Sequence, residues 1–268
     1  GKMDLMINEY LDELSFNDNS KKMILSKVQL FLNNDGIKSD YNYKLVKKAL
    51  LPYVRKEDGR SDFSEMLIWL FMQNSQYEMA LTQAKSLDRR TNSEGEGVYD
   101  LADSFLDKKL YELAIDAYDY VIQKGVNNFL FIDANVNKLY SLTQSIGTNY
   151  KQLNILDKSY QKIITKLGEN KTTVLLLSNY AHFKAFYLHD LDSAKDILVK
   201  AMAIPQISDL DLADCKLEYA DVMLLVGNVW QSLLYYSQVE KDFKENPIGH
   251  EAKLRRARIA YYQGDFAW

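Results

Sequence analysis

One spacing of apolar positions recurs along the chain. It is an aromatic or aliphatic residue, a small or apolar one three later, another four beyond that, and a fourth three further on. It runs Tyr77-Ala80-Ala84-Leu87, Tyr111-Ala114-Tyr118-Val121, Leu191-Ala194-Leu198-Ala201 and Val229-Ser232-Tyr236-Val239. Looser copies stand at Tyr43-Val46-Leu50-Tyr53 and Tyr150-Leu153-Asp157-Tyr160, and another opens at Phe266. Steps of three, four and three mark one face of an α-helix, so each copy predicts a helix. The first positions lie 34 residues apart from Tyr43 to Tyr77 and 34 again to Tyr111. The later steps are 39 to Tyr150, 41 to Leu191, 38 to Val229 and 37 to Phe266. A period of this size is that of stacked helical hairpins, whose surface turns absorb the extra residues of the longer steps.

A partner helix is predicted ahead of each copy. Val98, Leu101, Ala102 and Phe105 precede a turn at Asp107-Lys108-Lys109, and Tyr219, Ala220 and Met223 precede Gly227. Ala257, Ala260 and Tyr261 precede Gly264-Asp265-Phe266. Gly227 is placed to take a positive φ and end its helix. Ala114 stands where the two helices of its hairpin cross, so a large residue there is expected to overpack. Pro205 and Pro247 follow second helices, where proline stops helical runs. Some positions depart from the pattern. Asp157 takes an inward place, the helix at about 128–146 fits the register poorly, and His182 stands where a small residue is usual. Pro52 falls inside the second helix of the first copy and is expected to kink it. Residues 1–20 read as an added helix, Met3 to Leu14, followed by an Asn17-Asp18-Asn19-Ser20 turn or cap.

These residues resemble the tetratricopeptide repeat family. Its pattern sets a small residue in the first helix, an aromatic three later, Gly before an aromatic at the turn, then Ala and an aromatic in the second helix. Gly264-Asp265-Phe266 and Tyr77 to Leu87 match it, and the likeness covers roughly residues 60–268, more loosely 20–60. The resemblance implies an all-α fold, a right-handed tetratricopeptide-like superhelix (an α-α solenoid) of about five to six helical hairpins. Residues 1–60 would form N-terminal helices and a degenerate first repeat, and 61–268 the repeats proper, in one continuous solenoid. The chain opens on Gly1 and closes inside a repeat motif, so it reads as a piece of a longer protein.

In such a superhelix the first helices line a concave groove. Counting from the turns, the groove carries Glu65 and Trp69, then Tyr99 and Asp103, then Leu176, Asn179, Phe183 and Phe186. Asp214, Leu217, Asp221 and Leu224 follow, then Glu251, Leu254, Arg258 and Tyr261. Trp69, Tyr99, Asp103, Asn179, Phe183, Asp221 and Arg258 are the candidate partner-binding residues. Aromatic anchors beside carboxylates suit a protein or peptide segment with basic and apolar side chains. Clamp-type members of the family hold a C-terminal carboxylate with Lys, Asn and Arg. Here Glu65, Trp69, Tyr99 and Asp103 hold the corresponding positions, which would repel one.

Composition narrows the remaining classes. Of 268 residues 47% are hydrophobic and 26% charged, ordinary for a folded chain. The formal charge is −4, which disfavours a general phosphate-binding surface and so a nucleic-acid partner. Lys253, Arg255, Arg256 and Arg258 form one dense basic run, read as an exposed helix face. The single cysteine, Cys215, excludes an intramolecular disulfide and a cysteine-built zinc site, but leaves open a cytoplasmic or an exported location. No apolar run reaches the roughly 18 residues of a membrane span, so a soluble fragment is expected. No Gly-rich phosphate loop, paired metal histidines or nucleophile elbow occurs, and no cofactor or metal is implied. His182 and His189, seven apart, could form a metal or acid–base pair, but a third ligand at plausible spacing is missing. Cys215 near a helix start could be a reactive thiolate or an inert core thiol, and the inert reading is preferred. The leading expectation is a non-catalytic scaffold that binds a peptide or protein. A ligand-sensing segment of a larger regulator ranks second, and an enzyme last.

Overall fold

Five helices begin on the residue that opens each copy of the spacing: Tyr77, Tyr111, Tyr150, Leu191 and Val229. The computed structural model describes residues 2–16, 20–33, 39–55, 61–146 and 149–264. The chain divides into two compact units, residues 1–131 and 132–268. The first holds α1 (Lys2–Phe16), α2 (Lys21–Asn33), α3 (Ser39–Arg55), α4 (Ser61–Gln73), α5 (Tyr77–Thr91), α6 (Glu96–Asp107) and α7 (Tyr111–Ile122). At the boundary begins α8 (Phe131–Ile146). The second unit continues with α9 (Tyr150–Leu167), α10 (Val174–Phe186), α11 (Leu191–Met202), α12 (Asp209–Leu225), α13 (Val229–Asp242) and α14 (Pro247–Gln263). The described residues contain no strand.

The turns within the hairpins share one conformation. Ser75, Lys109, His189 and Gly227 stand two residues ahead of α5, α7, α11 and α13, with φ of 54°, 60°, 56° and 87°. The following amide then reaches back to close the helix end. Gln76 N–H donates to the Phe71 carbonyl, Leu110 to Phe105 and Asn228 to Met223, at 2.8–2.9 Å. This closure satisfies carbonyls that a helix end otherwise leaves open. Gly227 adopts the positive φ expected of it without the Cβ crowding that Ser75, Lys109 and His189 carry.

The second position of the spacing sets how closely two helices approach. Ala80, Ala114, Ala194 and Ser232 occupy it in four copies, and all are fully buried. In those hairpins, α4/α5, α6/α7, α10/α11 and α12/α13, the two backbones lie close along their length. Val46 and Leu153 take the place in α2/α3 and α8/α9, and there the backbones stand further apart. In the latter pair Val136 and Leu139 share an apolar cluster with Leu153, Leu156 and Tyr160. Ala114→Phe is therefore expected to destabilise the chain by about 1–3 kcal/mol, because the crossing has no room for a ring. Chemical denaturation would read it, and an unchanged midpoint would refute the crossing.

The departures resolve into local structure. Asp157 accepts from the Tyr180 hydroxyl at 2.9 Å and pairs with Lys184 Nζ at 3.0 Å, so the inward carboxylate is satisfied. Helix α3 runs through Pro52, three residues from its end. Pro247 does more than follow α13, because it opens α14 at its first turn, where a missing N–H is not needed. The added N-terminal helix extends slightly beyond Met3 to Leu14, as α1. The expected turn residues Asn17, Asp18 and Asn19, and the last copy from Asp265 to Trp268, lie outside the described residues.

Candidate functional site

In the second unit, α10, α12 and α14 are the first helices of successive repeats, and polar side chains one repeat apart link them. Ser178 Oγ donates to Asp214 Oδ2 at 2.8 Å, and His182 Nδ1 lies 2.9 Å from Glu218 Oε2. Arg255 Nη1 donates to Asp221 Oδ2, and its Nε donates to Glu251 Oε1 at 2.9 Å. The other oxygen of Asp221 accepts from the Tyr236 hydroxyl on α13. Burial pushes the Asp221 carboxyl above the usual carboxylate range, and the Arg255 charge opposes that without cancelling it. Burial raises the Asp214 carboxyl as well, against the hydrogen bond from Ser178.

Beside this network lies an open pocket of about 410 Å³. Phe186 and His182 form one wall, with ring centroids 4.4 Å apart, and Leu224, Ile259 and Tyr262 add apolar surface. Arg258 also lines it, and makes no ion pair with any described residue. The carboxylates of the pocket are thus committed to Arg255, while one guanidinium remains available.

The residues expected in the groove have separate fates. Asp221 and Arg258 share the pocket, joined by Phe186, Leu224 and Glu251. Phe183 is a correction: it is fully buried, stacked on Tyr160 and Tyr187 at 5.4 and 5.8 Å, and belongs to the core. Leu176 and Leu217 are likewise buried. Eight residues of α10 are buried, because a first helix packs against its own hairpin partner and against the next repeat. Asn179 is half-buried on α10 and outside the pocket lining. In the first unit, Asp103 accepts from the Tyr118 hydroxyl, 15 residues on, as Asp221 does from Tyr236. Tyr99 packs edge-on against Tyr118 at 5.6 Å, and Trp69 is half-buried on α4.

Other candidates also fall into place. Arg255 and Arg256 are held by Asp221, Glu251 and Glu240, so two of the four residues in the basic run of α14 are spent in internal ion pairs. His189 forms its turn while His182 faces Glu218, and no group of three His, Cys, Asp or Glu side chains converges on a metal position among the described residues. Burial, with Asp214 adding to it, pushes the Cys215 thiol up to about 12, which leaves it an inert core residue. Glu218 and the links of Arg255 escaped the sequence reading. Their signal is donors and carboxylates spaced 34 to 36 residues apart, one repeat, on successive first helices.

No protein-family model matches the chain, and no curated protein matches it. Among solved structures it is similar to the apo quorum sensor NprR from B. thuringiensis, at 13% identity and a TM-score of 0.56, over 96% of this chain and 80% of that one. NprR in complex with its cognate peptide NprX gives 13% identity and a TM-score of 0.54, over 97% and 83%. The fold is tetratricopeptide-like. A tetratricopeptide repeat protein from Parabacteroides merdae also matches, at 12% identity and a TM-score of 0.47, over 95% and 99%. At such identities the likeness is one of fold, and no helix among the described residues is long and apolar enough to cross a membrane.

Proposed function

We propose that the chain is a non-catalytic scaffold that binds a peptide or protein segment on the exposed faces of its first helices. The observation that carries the reading is the pocket of α10, α12 and α14. Its polar groups are cross-linked before any partner arrives, so little side-chain ordering is left for the binding step. Phe186, Leu224 and Tyr262 offer surface to apolar side chains, and Arg258 offers a donor fork to a backbone carbonyl or carboxylate. NprR, of like fold, is seen with a bound peptide, which supports the same class of ligand here.

A randomised dodecapeptide display library, panned on the immobilised chain, tests this. Binders are expected to lose about thirtyfold in affinity for Arg258→Glu or Tyr262→Ala, the roughly 2 kcal/mol at which one contact counts as a hot spot. Both side chains are exposed, so neither change should disturb folding. Enrichment of no peptide would refute the reading. Binders indifferent to both substitutions would move the site away from this pocket.

A further inference from the structure

We propose that the first unit carries a pocket for one cationic side chain, arginine or lysine, of a bound peptide. The proposal rests on the peptide-binding reading and adds to it a site and a ligand chemistry. Between α4, α5 and α6 lies an open pocket of about 490 Å³. Ile68, Ala84 and Leu87 give it apolar surface, and Glu65, Asp88, Glu96 and Asp100 give it four carboxylates. No Lys, Arg or His lines it.

The existing charges neutralise only part of this wall. Glu65 is paired with Lys21 at the start of α2. Asp88 is 95% buried, and its Oδ2 accepts from Tyr120 at 2.6 Å and pairs with Lys124 at 2.5 Å. Its Oδ1 is buried without a hydrogen-bond donor. Native proteins seldom leave such an acceptor unmatched, so the wall of this pocket is short of one donor. Glu96 and Asp100 stand one helical turn apart on α6, exposed, and neither makes an ion pair with a described residue. Like charges at that spacing repel each other, and an incoming cation relieves the repulsion. The carboxylates do not converge as metal ligands. A long side chain with an apolar stem and a charged head matches both features, with its stem on Ile68 and Leu87 and its head among the carboxylates.

Gly97 lies in the lining between Glu96 and Asp100, and a Cβ built there meets nothing within 4 Å. Gly97→Phe therefore fills the mouth of the pocket without crowding the fold. Two assays separate the site from the general reading. Nα-acetyl-arginine amide, Nα-acetyl-lysine amide and the neutral Nα-acetyl-citrulline amide are titrated against the ¹⁵N-labelled chain. Amide shifts around Gly97 and Asp100 are expected with the two cations, with little effect from citrulline, and are expected to vanish in Gly97→Phe and in the Glu96→Gln, Asp100→Asn pair. The peptides selected by display are expected to be rich in Arg or Lys. They should bind about tenfold more weakly to Gly97→Phe, or when the basic residue is replaced by citrulline or norleucine. Selected peptides that ignore these changes would overturn the pocket and leave the scaffold reading standing. Cation shifts at the pocket with no selected peptide would uphold the pocket and sink the scaffold reading. Neither signal would end both.

Discussion

Gly249→Ala is expected to destabilise the chain by about 3 kcal/mol, at the upper end of what overpacking does. Gly249 lies in the first turn of α14, where the end of α13 folds back on it. A Cβ built there falls 2.0 Å from the Phe243 carbonyl oxygen and 2.6 Å from its carbon. Those atoms are backbone and cannot rotate aside. The same carbonyl accepts the Asn246 amide at 3.0 Å, and Asn246 in turn caps α14 through Ile248. Relief of the clash thus requires the whole α13–α14 turn to open. That opening would loosen Val239 and Phe243 from Ala252 and Ile259, which share one apolar cluster. Gly97→Ala is the matched control, since its Cβ meets open space and alanine favours helix. Urea denaturation should show a lowered midpoint for the first variant, with an unchanged slope, and an equal or raised midpoint for the second. Equal midpoints for the two would show that the close approach at Phe243 is not there.

The contrast between these glycines marks what the sequence could and could not convey. The spacing predicted helices over the residues where α5, α7, α9, α11 and α13 occur, because aromatic or aliphatic first positions and small or apolar second positions are local signals of one buried face. Gly227 was legible for the same reason: its turn needs a positive φ, and glycine supplies one. Gly249 carried no such mark, since its constraint comes from the carbonyl of Phe243, the residue that ends α13. The candidate site was legible only in part. A single helical face could be read, but a first helix in a stack is buried on two sides. Phe183 and Leu176 therefore went inward although their spacing suited the groove. Asp103 and Asp221 were seen as carboxylates open to a partner. Both instead accept a hydroxyl from a tyrosine 15 residues on, Tyr118 and Tyr236. That contact was implicit in the repeat, since each tyrosine is the same position of the spacing. The ion pair of Asp221 with Arg255 was not, because it joins neighbouring repeats whose step varies along the chain.

Arg255→Met should make that last point measurable. Methionine keeps the length and apolar stem of the side chain and removes its charge. Asp221 would keep the Tyr236 hydroxyl but lose its counter-ion, and its carboxylate is three-quarters buried. Removal of one partner from a fully dry pair costs 3–5 kcal/mol; with about a quarter of each side chain exposed, a loss of about 2–3 kcal/mol is expected at neutral pH. The pH dependence separates this cause from lost packing. Burial already holds the Asp221 carboxyl above its ordinary value in the presence of Arg255, and without Arg255 it rises further. A carboxyl whose folded value is raised binds more protons in the folded state, so its ionisation destabilises the fold as pH climbs from about 4, the unfolded value, through the folded value. The deficit of the variant should therefore be complete at pH 7 to 8 and shrink as the pH falls toward about 4, where Asp221 becomes neutral. In the double variant with Asp221→Asn no ionisation remains, so the deficit should be smaller at neutral pH and should lose its slope. A deficit constant from pH 4 to 8 in the single variant would mean that Arg255 serves only as packing, and that the Asp221 link does not hold α12 and α14 together.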